Sequence, residues 1–120
     1  MRMTKLALIA ALCMAGPVAA QQAGEATAGV VRVLDKVTGA VTDLRLSAGE
    51  TAALGHLKVT LMECRFPISN PNGDAFTKLT VVYRDLVTPV FQGWMIASAP
   101  ALNAMEHPRY DVWALRCITS

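Results

Sequence analysis

The chain is short of the residues from which sites of chemistry are built. It holds two histidines and three cysteines in 120 residues, and only 6% of it is aromatic. No two cysteines form a C-x-x-C, which leaves out the common thiol-redox motif. His56 and His107, with Glu63, Asp74 and Glu106 as scattered carboxylates, do not give the three ligands at meaningful spacing that a catalytic zinc needs. Asn70-Pro71-Asn72-Gly73-Asp74 resembles part of a calcium loop but lacks the spacing and terminal glutamate of an EF-hand, so it reads as a turn. No serine sits in a G-x-S-x-G elbow. The sequence thus nominates no catalytic residue, no metal and no cofactor. Repeats, heptads and low-complexity tracts are also missing.

Net charge is lacking as well, once the start of the chain is set aside. Arg2 and Lys5 make Met1–Lys5 basic, Leu6–Gly16 is apolar, and Val18-Ala19-Ala20 fits the small-residue rule of signal peptidase. The apolar run is shorter than the roughly 20 residues that span a bilayer. A cleaved secretory signal over residues 1–20 is expected, cut between Ala20 and Gln21, with a periplasmic product; a retained anchor is the alternative. Of 11 Lys+Arg and 9 Asp+Glu, two cations leave with the signal, so nine of each sign remain. Such a balance excludes the basic footprint of a nucleic-acid binder and the polybasic patch of an electrostatic membrane binder. Cys13 leaves too. Cys64 and Cys117 then form an even pair in an exported chain, which predicts one disulfide.

What is present is β-branched sequence cut by turns. Gln21–Gly29 (QQAGEATAG) reads as a flexible leader, and residues 30–120 as a single domain. Val30–Lys36 and Val41–Leu46 flank Gly39 as a hairpin. Leu57–Cys64 alternates, with Leu57, Val59 and Leu61 on one face and Lys58 and Thr60 on the other. Parity puts Cys64 on the polar face, so a bulge or strand end is needed to aim it at Cys117. Phe66–Asp74 is a loop, and Ala75–Asp85, Val90–Ala97 and Asp111–Ile118 are further strands. In the last, Trp113, Leu115 and Cys117 share a face. Pro100–Glu106 is the one helix candidate, capped by Ser98 and stopped by Pro108. The pattern predicts an all-β fold, a small antiparallel sandwich or barrel with one short helix and a single disulfide.

Residues 93–117, GWMIASAPALNAMEHPRYDVWALRC, concentrate the remaining interest. Ser98, His107 and Asp111 occur in an order that suggests a triad, but triads are defined by geometry, and Ser98 is explained as a cap. Trp94 and Trp113 read as core anchors of their strands. The run GWMIASAPALNAMEHP followed by YDVWALRC closely resembles the signature of an exported alphaproteobacterial family, domain-of-unknown-function family 2155. Its G-W-M-x-A-S-x-P-x-L segment matches Gly93, Trp94, Met95, Ala97, Ser98, Pro100 and Leu102. Its H-P-x-Y-D-x-W segment and closing cysteine match His107, Pro108, Tyr110, Asp111, Trp113 and Cys117. LDKVTG, GHLKVTLMEC and the Pro-rich loop before AF fit too, and Ile96 departs from an expected aromatic. The resemblance runs from Val30 to Cys117 and supplies no activity. It implies an accessory role on the periplasmic side of an inner-membrane respiratory complex.

The resulting expectation is a non-enzymatic periplasmic module that binds a protein partner of such a complex or of another envelope assembly. Its surface is expected at Trp94, Met95, Leu102, Met105, His107 and Tyr110. The rival readings are a hydrolase or metal-dependent enzyme using His107, and a barrel enclosing a small ligand.

Overall fold

A computed structural model describes residues 22–119; the expected signal segment lies outside them. Eight strands form two antiparallel sheets: β1 (Ala23–Ala26), β2 (Ala28–Asp35), β3 (Val41–Ser47), β4 (Thr51–Leu54), β5 (Leu57–Pro67), β6 (Phe76–Tyr83), β7 (Phe91–Ile96) and β8 (Tyr110–Ile118). One sheet runs β1-β5-β6-β7, with β4 also paired to β5; the other runs β3-β2-β8. The all-β antiparallel expectation holds, and so does the β2–β3 hairpin.

The chain passes between the sheets three times, at β1–β2, β3–β4 and β7–β8. β1 and β2 are one extended run bent at Thr27, whose carbonyl accepts from Ala48 N at 2.9 Å. The β3–β4 corner is held by Glu50, whose side chain accepts from Ser47 N at 2.8 Å and whose carbonyl accepts from Leu61 N at 3.1 Å. The chain after Gln21 is therefore built into the fold rather than forming a flexible leader. β1 pairs Glu25 with Arg65 and Ala26 with Cys64, giving a short polar segment the ladder bonds that its composition did not announce. β4 is the second strand the hydrophobic pattern missed. Thr51-Ala52-Ala53-Leu54 has too little apolar alternation to stand out, and it exists because it pairs with β5.

The core lies between the sheets. Val31, Val33 and Leu46 face Leu57, Val59, Leu61, Leu79 and Val81, all 0–1% exposed. Cys64 and Cys117 join β5 to β8 and hence one sheet to the other. The parity conflict at Cys64 is resolved by a bulge: Leu61 pairs Leu79 and Glu63 pairs Lys78, so Met62 is an extra residue. A second bulge, at Leu115, corrects the expected face of the last strand. Tyr110, Val112, Ala114 and Cys117 are the buried residues of β8, while Trp113 and Leu115 are only half-buried.

The expected helix over Pro100–Glu106 reduces to one 3-10 turn, Pro100–Leu102. Seven residues closed by a proline give too few intrahelical bonds to offset nucleation. Ser98 caps nothing: the residue before the turn is Ala99, with no side-chain cap.

Candidate functional site

The six residues expected to form one surface do not share one. Met95, Met105 and Tyr110 are 2–3% exposed and belong to the core. Met105 comes from the β7–β8 connection and joins the inter-sheet cluster with Met95, so the apolar character that suggested a patch is spent on packing. Trp94 and Leu102 do reach solvent, at 36% and 74% exposure. Trp94 thus corrects the expectation of a core anchor. In register with Lys78, it lies on the outer face of its sheet, and the Arg65 guanidinium sits 5.9 Å from its ring centroid.

His107 is half-buried and structural in its contacts. Its Nδ1 accepts from Arg109 N at 3.1 Å and Tyr110 N at 3.2 Å, fixing the turn into β8. Its ring lies 4.5 Å from that of Tyr83. Burial, reinforced by the charge of Lys36, pushes its pKa below the ordinary histidine value. Lys36 Nζ also donates to the His107 carbonyl at 2.7 Å. The proton of the neutral ring therefore belongs on Nε2.

Around His107 the fold gathers groups that sequence spacing kept far apart. Tyr83, at the end of β6, is neighboured by His56, His107 and Tyr110 with ring centroids 4.5–6.1 Å away. Arg84 lies over Tyr83 at 5.2 Å and Arg109 over Tyr110 at 5.3 Å. Arg109 pairs with Asp35 at 3.1 Å, and this contact holds the Asp35 carboxyl below its usual range. Tyr110 Oη accepts from His56 N at 3.2 Å. Sequence spacing gave His56 no partners for a metal site and gave Tyr83 and Arg84 no place in a candidate site. The clue it held was that both tyrosines and both histidines lie beside strand ends, which antiparallel pairing can bring to one end of a sheet.

Ser98 and Asp111 do not meet His107 in a triad. Ser98 donates instead from Oγ to Asp74 Oδ2 at 2.7 Å and from N to Oδ1 at 3.0 Å. Burial alone would raise the Asp74 carboxyl, but these bonds and one from Ala75 N outweigh it and leave it lowered. Asp74 is thereby a clamp between the β5–β6 loop and the end of β7, with its oxygens taken by protein donors. Among the described residues no three His, Cys, Asp or Glu side chains converge on a point. The space between Tyr110, Gly55, Val33 and Thr42 has a volume of 110 Å³, below the roughly 300 Å³ of the smallest usual ligand pockets.

An open apolar feature lies beside β8. The connection from β7 to β8 crosses between two strands that end their sheets, β7 in one and β8 in the other. Between this connection and β8 lies a cleft of 350 Å³, lined by Pro100, Ala101, Ala104, Asp111, Val112 and Trp113. Leu102 stands exposed on the same 3-10 turn. Among the described residues no helix is long and apolar enough to cross a membrane.

A two-sheet antiparallel domain tied by one inter-sheet disulfide is the class these features define. Residues 29–117 match the model of a family described as an uncharacterized protein conserved in bacteria (DUF2155), and the chain belongs to that family. It is 32% identical over 94 residues to an uncharacterized protein of Rickettsia prowazekii (strain Madrid E). That match covers 76% of this chain and 61% of the relative, so the chain accounts for less than two thirds of the longer protein. No solved structure matches the chain.

Proposed function

We propose that the protein is a non-enzymatic periplasmic β-domain that docks a protein partner of the cell envelope along the free edge of β8. The observation that carries this reading is the cleft of 350 Å³ beside that edge, uncharged except for Asp111, with Leu102 74% exposed next to it. A large side chain left in water beside an unpaired strand edge is a surface that natural domains otherwise cover or charge. An extended partner segment would add its backbone to β8 and place an apolar side chain between Pro100 and Trp113. A place on an inner-membrane respiratory complex, or on another envelope assembly, suits such a module.

The enzyme reading around His107 is less well supported, since Nδ1 is already engaged by two backbone donors. The proposal is tested by Leu102→Asp and Trp113→Ala in protein purified from membranes in mild detergent, with Val87→Asp, at a site 96% exposed, as control. Both variants should lose co-purifying protein, Leu102→Asp without a change in melting temperature, and the control should lose none. Partners retained equally by all three would refute it.

A further inference from the structure

A second cleft, of 330 Å³, opens where the β4–β5 turn meets the end of β6, and His56, Lys58 and Arg84 line it together with the acidic Asp85. Among the described residues Arg32, Arg65 and Arg109 are paired with carboxylates, whereas no carboxylate lies within ion-pair distance of Lys58 or Arg84. Lys36, Arg45, Lys78 and Arg116 are likewise without a carboxylate partner, but Lys58 and Arg84 share one concavity with an imidazole.

The cleft is also held in shape. The His56 backbone is fixed from both sides: its N–H donates to Tyr110 Oη at 3.2 Å and its carbonyl accepts from Arg84 N at 2.7 Å. Tyr83 carries the His56 ring edge-on at 6.1 Å and the Arg84 guanidinium over its face at 5.2 Å. Arg84 is the one non-glycine residue with positive φ among the described residues, at 56°. Glycine would adopt that backbone with less strain, so the side chain is kept at a conformational penalty.

We infer that this cleft binds a phosphate group, free or as a lipid headgroup. With Asp85 in the lining the two cations leave the cleft at net +1, which offsets one charge of a phosphate, and a guanidinium fork suits that group's geometry. The apolar cleft at β8 shares no lining residue with this one, so either inference can fail alone.

The full chain should be titrated with inorganic phosphate and followed by backbone and side-chain NMR. Saturable shifts are expected at His56, Lys58, Tyr83 and Arg84. Losing a charged hydrogen bond should weaken binding about tenfold or more in Lys58→Gln and in Arg84→Gly. Arg84→Gly suits the positive φ, so it removes the charge without endangering the fold. Flotation with phosphatidylglycerol vesicles, against phosphatidylcholine, separates the two sources. Vesicle binding lost in the same variants marks a headgroup, and saturation by phosphate without vesicle binding marks a free ligand. Absence of response in both arms overturns the site, as does a response undiminished in Arg84→Gly or spread equally over Arg45 and Arg116.

Discussion

Cys64 and Cys117 are bonded across the two sheets with their Cα atoms 5.8 Å apart, and each lies just beyond a bulge in its own strand. Met62 is the extra residue before Cys64, and Leu115 the extra residue before Cys117. Each inserted residue flips the side-chain alternation, so that both sulfurs turn inward from strands whose regular parity would separate them. Gly29, in register with Cys117, completes the arrangement: a Cβ there would lie 2.8 Å from Cys64 Sγ.

The bridge spans 53 residues, for which the chain-entropy account gives about 4 kcal/mol. Cys64→Ser with Cys117→Ser should lower unfolding stability by roughly that amount in urea melts under oxidising conditions. Under reducing conditions wild type and variant should coincide. Equal stability in both conditions would remove the bridge from the account of the fold. Gly29→Ala should destabilise the oxidised protein more than the reduced one, because Sγ is less fixed once the bond is cut.

How far the sequence carries can be read from these residues. Period-two alternation in Leu57–Leu61 marked the core face of β5, and the conflict at Cys64 marked the need for a bulge. Its place at Met62 was not legible, because a bulge is set by cross-strand register and not by local composition. β1 and β4 escaped for the same reason: they are strands by virtue of β5. The site was harder. Met95, Met105 and Tyr110 have the composition of an interface, and only inter-sheet packing places them inside.

Thr77 is 0% exposed, stands in register with Cys64, and its Oγ1 has no hydrogen-bond partner. An unsatisfied buried hydroxyl costs about 1–3 kcal/mol, and valine has the same shape without it. Thr77→Val should therefore raise stability by about 1 kcal/mol, measured by the urea midpoint at constant m. Thr77→Ser keeps the orphan and adds a methyl-sized void, so it should lower stability. A neutral or harmful Thr77→Val would mean that the hydroxyl has a partner, such as an internal water.

His107 predicts a specific pH dependence. Its pKa falls below 6.5 in the folded state, so between the folded and unfolded values the unfolded chain binds more protons. Stability is then full above that value and declines as pH falls through the folded one. Lys36, Tyr83 and Tyr110 also face the ring, as does the Arg109–Asp35 pair, which stays ionised because Asp35 is lowered and Arg109 raised from their ordinary values. Asn places Oδ1 where the imidazole has Nδ1. His107→Asn should thus keep the turn and flatten the stability profile between about pH 7 and pH 5. His107→Ala should destabilise at every pH. A wild-type profile that survives His107→Asn would assign the dependence to another group.

Gly55 and Tyr110 form the tightest contact in the turn that shapes the basic cleft. Gly55 has φ +59, and a Cβ there would fall 2.6 Å from Tyr110 Oη. Gly55→Ala thus meets two costs, a left-handed alanine of about 1–3 kcal/mol and the collision with the hydroxyl. Tyr110→Phe removes the collision and also the acceptor that His56 N uses, which costs about 1–2 kcal/mol on its own. If the contact is what forbids a side chain at this position, the double variant should be more stable than the sum of the singles allows, with a coupling of about 0.5–3 kcal/mol. Strict additivity would leave backbone conformation as the whole reason for glycine and make the phenol a neighbour without influence on the turn. Because His56 N is bonded to that same oxygen, the cycle also reads how firmly Tyr110 holds the imidazole at the mouth of the cleft. Phosphate-induced shifts at His56 should shrink in Tyr110→Phe even where its fold is unchanged.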